Sequence, residues 1–335
     1  METSKPTPKL LFASIVAVIA LSLCAVALAG CSQATESPGA PDEAQAAASN
    51  ESSAHTFTDD LGNEVTVDNP QRVVACMGSF ANTWELAGGT LVGASDDAFT
   101  SYELASPDVA KVGDFSTLNL ESIIALEPDF VIMTGASTGK DGMASQVDLK
   151  ESLEASGIAV AYFNVTTFED YLRMLRVCCD ITGRDDLYEQ NGQAAADKVE
   201  AIKASVPAGE GPSVLLMTTY SGGTRVQNSS TMTGIMLSEL GGKNLADENK
   251  SLLKDFSFES VIELDPDVIL VVPMGNDEAA AEKALQEQTE QNPAWSTLSA
   301  VESGRYHMLS PSLFQFKPNN NWADSYQTLY DYLYK

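Results

Sequence analysis

Histidine is almost missing from this chain: two of 335 residues, His55 and His307. A site for a free transition-metal ion needs several imidazoles and carboxylates converging on one point, so that class of receptor is set aside. Basic residues are also few, 19 against 47 acidic. Nucleic-acid affinity rests on Lys and Arg neutralising phosphates, and anionic lipid headgroups attract basic surfaces rather than acidic ones. Neither is a partner for this surface. A disulfide framework is absent as well. Of five cysteines, Cys24 and Cys31 lie at the N-terminus, Cys76 sits in an apolar run, and Cys178 and Cys179 are neighbours on a helical stretch, where adjacent side chains diverge. Thiols scattered in this way read as small core residues. An exported Ser-His-Asp hydrolase would have only His307 for its base, because His55 falls in a polar stretch without pattern.

What the chain does have begins at its N-terminus. Lys5 and Lys9 precede an uncharged run over residues 10–30 that ends Leu28-Ala29-Gly30, directly before Cys31. A basic start, an apolar stretch and small residues before the cut describe an export signal over residues 1–30. The cysteine after Ala29-Gly30 specifies the lipoprotein version, with Cys31 lipidated; a retained signal anchor would have no use for that pair. Cys24 follows the bulky Leu23 and competes poorly. Residues 31–55 then form the lipidated cysteine and a tether of Ala, Ser, Glu, Pro and Gly, too poor in large apolar residues to repay ordering. Removal of residues 1–30 takes Glu2, Lys5 and Lys9 with it and leaves 46 acidic against 17 basic residues.

From Thr56 onward the pattern is that of a folded α/β protein. Residues 56–67 alternate around Asp60-Leu61-Gly62-Asn63, which predicts a hairpin. Strand-like runs at 73–77, 90–94, 129–134 and 158–164 alternate with helical stretches, and the pattern restarts with runs at 213–220, 267–274 and 305–309. Two segments are near-copies: LNLESIIALEPDFVIM at 118–133 and FSFESVIELDPDVILV at 256–271. Each reads as a short helix capped by Asn119 or Ser257, stopped before a proline and followed by a buried strand. A unit built twice predicts two similar parallel-sheet lobes, an N-terminal one over 56–184 and a C-terminal one over 207–335, with a ligand cleft between them. Residues 185–206 carry apolar side chains at helical spacing (Leu187, Ala194, Val199, Ile202) and predict one long linking helix of roughly 30 Å. Gly192 in its middle weakens it by about 1 kcal/mol.

With these motifs in place the chain resembles the substrate-binding lipoproteins of ATP-binding-cassette importers for iron–siderophores, haem and vitamin B12. The resemblance covers nearly all of residues 56–335 and rests on motifs in order: NPQRVVACM (69–77), ELAGGTLVGAS (85–95), VGDFSTLNLESIIALEPDFVI (112–132), LSELGGKNLAD (237–247), SFESVIELDPDVIL (257–270) and KPNNNWADSYQTLYDYLY (317–334). It implies two α/β lobes on one backbone helix, a monomer without cofactor or catalytic activity, and an outward-facing, lipid-anchored position at the cell membrane. It also implies a permease dimer with its ATPase as partner. In that family the glutamate opening each repeated helix docks on arginine pockets of the permease, which makes Glu121 and Glu259 the docking residues here. A carboxylate in a first helical turn is also favoured by the helix dipole alone, by about 0.3–1 kcal/mol.

Ligands in open α/β sheets sit beyond the carboxyl ends of the strands. Those ends bring forward Met77, Phe80, Tyr102 and Lys140 in the first lobe and Tyr220, Arg225, Met274, Phe314, Phe316 and Lys317 in the second. The aromatic and soft members suit a large, partly apolar ligand. Arg225, Lys317 and Lys140 are the cations placed to meet carboxylates or catecholates, although so few cations in so acidic a chain also fit a neutral hydroxamate chelate or a corrinoid. The expected cargo is an iron chelate, siderophore or haem. A corrinoid receptor of the same class, and a surface haem or corrinoid capture protein without a permease, are the alternatives. His307, between Tyr306 and Met308, is a structural histidine or an axial haem ligand. Trp84 and Trp322 are expected in the core.

Overall fold

The two near-copies in sequence fold into two like units. Asn119 accepts the Ser122 amide at 3.0 Å and opens the helix Leu120–Ala125, while Ser257 accepts the Ser260 amide at 3.5 Å and opens the helix Phe258–Leu264. Each helix ends on a residue with positive φ, Glu127 (46°) and Asp265 (39°), and the proline that follows forbids a further helical turn. The aspartate after each proline ties the unit to the neighbouring strand. Asp129 accepts the amides of Gln71 and Arg72 at 2.7 and 3.0 Å, and Asp267 accepts the amide of Ser213 at 2.8 Å. The computed structural model describes residues 54–136, 145–254, 257–275 and 277–335. The expected leader, Cys31 with most of its tether, and Lys140 lie outside the described residues.

The first described strand includes the two residues before the expected Thr56. Strand β1 (Ala54–Thr58) pairs antiparallel with β2 (Glu64–Asp68), and His55 stacks on Phe57 at 5.9 Å. Asp59 closes the turn by accepting the Leu61 and Asn63 amides. The first lobe is a parallel sheet in the order β5-β4-β3-β8-β9, from β3 (Val73–Ala75), β4 (Leu91–Ala94), β5 (Ala110–Lys111), β8 (Phe130–Thr134) and β9 (Ala159–Phe163). A small ribbon, β6 (Gly113–Asp114) with β7 (Thr117–Leu118), precedes the first repeated helix. The second lobe repeats the core order: β12 (Lys243–Asn244), β10 (Ser213–Tyr220), β13 (Val268–Pro273) and β14 (Tyr306–Met308) are mutually parallel. It departs from the expected all-parallel sheet at one edge. There Ser221 and Gly222 turn the chain back as β11 (Gly223–Val226), antiparallel to β10, a two-residue hairpin that glycine permits.

Strand residues alternate between two cores. Val214 and Leu216 join an apolar cluster shared by both lobes, whereas Leu215 and Met217 face a separate one beneath the helix Phe258–Leu264. In the first lobe Val73 and Ala75 face the shared cluster, and Val74 and Cys76 face the opposite side. Cys178 and Cys179 are buried in the shared cluster beside Phe168 and Trp322, and Trp84 is buried there as well. No helix among the described residues is long and apolar enough to cross a membrane.

The connection between lobes is helical from 185 to 204, but its middle, Glu189–Gln193, is a π turn. The turn is tied to its neighbours: the Tyr171 hydroxyl donates to the Asn191 carbonyl at 3.0 Å, while the Asn191 side chain donates to the Leu86 carbonyl at 2.8 Å. Gly192 is packed, not loose: a Cβ there would lie 3.1 Å from Leu175 and 3.2 Å from the Tyr188 ring. The last helix, Trp322–Tyr334, lies along the linking helix, with Tyr330 donating to the Ser205 carbonyl at 3.2 Å. Replacing Tyr171 by Phe removes its buried hydrogen bond to the Asn191 carbonyl, at a cost of about 1 kcal/mol. We expect a lower urea midpoint with an unchanged slope; an unchanged midpoint would show that the π turn is satisfied without Tyr171.

Candidate ligand site

The second lobe opens a cavity of about 340 Å³ at the carboxyl ends of β10 and β13. Leu216, Thr218 and Tyr220 reach it from alternate positions of β10, as one face of a strand must, and Arg225 and Gln227 come from β11 and its end. Thr231, Met232 and Thr233 form the start of the helix Met232–Glu239, and Val272 and Met274 end β13. Phe314, Gln315 and Lys317 belong to the segment that leads from β14 to the last helix. Part of the polar lining is already engaged. Gln227 donates to Thr218 at 3.1 Å, Gln315 donates to the Gly275 carbonyl at 3.1 Å, and Thr231 caps its helix by accepting the Gly234 amide at 3.2 Å.

The two cations are the exception. Lys111, Lys150, Arg173, Arg176, Arg184, Lys203, Lys243, Lys283 and Lys335 all sit in ion pairs. Arg72 and Arg305 donate to backbone carbonyls. Among the described residues Arg225, Lys317, Lys198, Lys250 and Lys254 do neither; of these five only Arg225, which is exposed, and Lys317, which is half-buried, line the cavity. The Arg225 guanidinium lies over the Tyr220 ring at 5.3 Å. Lys317 is half-buried, and loss of solvent pushes its ammonium below the ordinary 10.5, against a smaller opposing pull from the Asp170 carboxylate.

Five of the residues singled out from sequence thus meet at one cavity: Tyr220, Arg225, Met274, Phe314 and Lys317. The first-lobe candidates lie elsewhere. Met77 is half-buried as the residue before the helix Gly78–Leu86, without lining the cavity. Phe80 is a correction: it is 1% exposed and packs edge-on against Phe163 at 6.3 Å, because the helix starts at Gly78 and turns that side chain into the core. Tyr102 and Phe316 pack against each other, ring centroids 6.5 Å apart. The ends of β3 and β8 are spanned by the buried Gln146, which donates to the Cys76 and Phe115 carbonyls at 2.8 Å each and accepts the Thr134 amide at 2.9 Å. Thr218, Gln227, Thr233 and Met232 were missed in sequence; counting back by two from Tyr220 would have found Thr218 and Leu216.

His307 is no axial ligand for this cavity. Its ring stacks on Tyr332 at 3.9 Å with 7° between planes, and burial, helped by Arg305, lowers its basicity. Gly135-Ala136-Ser137-Thr138-Gly139 has the spacing of a nucleophile turn. Ser137 lies outside the described residues, and His307 belongs to the other lobe's sheet with its ring face occupied. Glu121 and Glu259 are both exposed in the first turns of the repeated helices, and among the described residues neither has an ion pair.

The family described as periplasmic binding protein matches residues 73–312. The chain is 22% identical over 291 residues to the Fe(3+)-citrate-binding protein YfmC of Bacillus subtilis, covering 86% of each. It is 22% identical over 285 residues to the putative ABC transporter substrate-binding lipoprotein YhfQ of Bacillus subtilis, covering 80% of this chain and 84% of that one. Among solved structures it is similar to Staphylococcus aureus IsdE complexed with heme, with a TM-score of 0.62, 19% identity, and coverage of 79% of this chain and 99% of the other.

Burial of an unpaired ammonium has a measurable consequence in the unliganded protein. Lys317 is more acidic in the folded state than in the unfolded state, so between its lowered value and 10.5 the unfolded chain binds more protons and stability rises with pH. Below that window the buried charge costs stability in full. Lys317→Met should therefore raise the melting temperature of the unliganded protein at pH 7, with the gain shrinking as pH approaches 10.5. A variant less stable than the parent at pH 7 would mean that the ammonium is paired or solvated.

Proposed function

Since the chain belongs to the periplasmic binding protein family, we propose that it captures an anionic ferric chelate and hands it to the permease of an ABC importer. The observation that carries this reading is the pair of unpaired cations, Arg225 and Lys317, lining one cavity of a chain with 47 acidic and 19 basic residues. In such a chain a cation costs little to neutralise with a neighbouring carboxylate; leaving two without one keeps charge available for a ligand. Arg presents a planar fork that matches a carboxylate, and Lys a point charge on a flexible stem. Ferric citrate and carboxylate siderophores offer such groups, and a cavity of about 340 Å³ lies at the small end of the range for small-molecule sites. The name of the Bacillus subtilis relative YfmC supports the same chemistry. Work of this kind is binding, not catalysis.

Haem is the second reading, favoured by the same cavity's Tyr220, Met232 and Met274, since phenolate and thioether are both iron ligands and haem propionates would meet the cations. Lipidation at Cys31 would hold the receptor on the outer surface of the cell membrane, in keeping with the relative YhfQ, which is named as a lipoprotein. Glu121 and Glu259, matched in position on the two repeated units, would present the loaded receptor to the permease.

The test is titration of the chain from Ser32 onward with ferric citrate, haem, cyanocobalamin and a neutral ferric hydroxamate, followed by calorimetry. Saturable binding of ferric citrate or haem, weakened about 10- to 100-fold by Arg225→Met as loss of a charge-assisted hydrogen bond implies, is the expected result. Preference for cyanocobalamin or the neutral hydroxamate would overturn the anionic reading. For docking, Glu121→Lys with Glu259→Lys should abolish uptake in cells and leave ligand affinity within twofold. Lost affinity would place these residues at the ligand instead.

A further inference from the structure

The segment over residues 310–321 faces two ways. Toward the second lobe it supplies Phe314, Gln315 and Lys317 to the cavity. Toward the first lobe it is pinned. The Tyr102 hydroxyl donates to the Lys317 carbonyl at 3.0 Å, and the Tyr102 ring meets Phe316 edge-on at 6.5 Å. Two residues on, Asn319 is buried with φ at 50° and donates to the Ser79 carbonyl at 2.9 Å and to the Asn82 side chain at 2.8 Å. Both anchors rest on one unit of the first lobe, because the Asp97 carboxylate near Tyr102 accepts the amide of Gly78, which opens the helix that carries Ser79 and Asn82. The residue that supplies the cavity's half-buried ammonium is therefore held by a side chain from the opposite lobe.

We infer that Tyr102 is a positioning residue for Lys317, fixing from the first lobe the cation with which the second lobe binds its anion. This rests on the reading of the cavity as an anion site. The physical reason is the contrast between the two cations. Arg225 is braced by the Tyr220 ring beneath it, whereas the Lys317 ammonium ends a flexible four-carbon stem with no ion pair, so its position depends on how firmly its backbone is held. Among the described residues the Tyr102 hydroxyl is the hydrogen-bond donor to that backbone carbonyl. Burial, with the nearby Asp97 charge, pushes the phenol well above its ordinary value, so it remains a donor throughout the neutral and mildly alkaline range. The Tyr102 hydrogen bond thereby ties the placement of Lys317 to the first lobe, beside the Asn319 anchor two residues on.

The test is a double-mutant cycle on the chain from Ser32 onward, with ferric citrate as the probe and calorimetry as the readout. Tyr102→Phe keeps the ring against Phe316 and removes only the hydroxyl. It should weaken binding about tenfold, the worth of one hydrogen bond, and lose that effect in the Lys317→Met background, where no ammonium remains to be placed. The same weakening in both backgrounds, or none in either, overturns the proposal while leaving the anion site intact. If ferric citrate fails to bind the parent, or Lys317→Met binds it as well as the parent does, the anion-site reading fails and the role of Tyr102 falls with it. Thermal unfolding of each variant separates a loss of placement from a loss of fold: the proposal expects Tyr102→Phe to unfold in one cooperative transition well above the temperature of the titration, even where the lost hydrogen bond lowers its midpoint.

Discussion

The arrangement of both lobes depends on one apolar seam, in which the linking helix lies against the last helix and the helix Phe168–Thr182. Val199, Phe168, Trp322 and Leu329 share a single core with strand residues of either sheet, Val73 and Ala75 from one, Val214 and Leu216 from the other. Because this core is common property, the lobes cannot part widely without exposing it, and the hydrophobic penalty grows with area. Polar contacts at the same place reinforce it. Lys203 on the linking helix reaches Glu239 of the second lobe at 3.0 Å and lies over the Tyr326 ring of the last helix, whose hydroxyl also donates to Glu239. A hinge built this way favours small adjustments over wide opening, so what the ligand changes must be read from local contacts.

Those contacts are unequal in the two lobes, although the lobes repeat one plan. In the first, the buried Gln146 amide spans the strand ends and satisfies three backbone groups at once. In the second, the corresponding end is left hollow and lined by Thr, Met, Tyr and two cations. The two lobes thus share one plan of sheet and differ in the side chains at its carboxyl ends. The first lobe contributes by holding the segment that closes the cavity, through Tyr102 and Asn319.

Much of this was legible in sequence where covalent or periodic constraints act locally. Pro128 and Pro266 announce the helix ends, the runs Phe130–Thr134 and Val268–Pro273 are buried throughout as parallel strands require, and residues following strands pointed to Tyr220, Arg225 and Met274. Features that depend on a distant neighbour were not. Gly192 looks like a weakness in a helix until Leu175 and Tyr188 are seen against it, and the π turn follows from Tyr171 and Leu86, far away in the chain. Phe80 follows a strand and so looked like a cleft residue, yet one residue's difference in where a helix begins decides which way it points. Thr218 and Gln227 are polar residues in or beside strands, a composition that also describes a solvent-facing edge.

The central claim is that a ligand carboxylate sits between Arg225 and Lys317 at the carboxyl ends of β10 and β13. The measurement that reaches it most directly is a crystal structure of the chain from Ser32 onward grown with ferric citrate. The account predicts chelate density in the cavity of the second lobe, with carboxylate oxygens within hydrogen-bonding distance of both the Arg225 guanidinium and the Lys317 ammonium. Density for the chelate against the first lobe alone, or in the cavity with both cations turned away from it, would contradict the account.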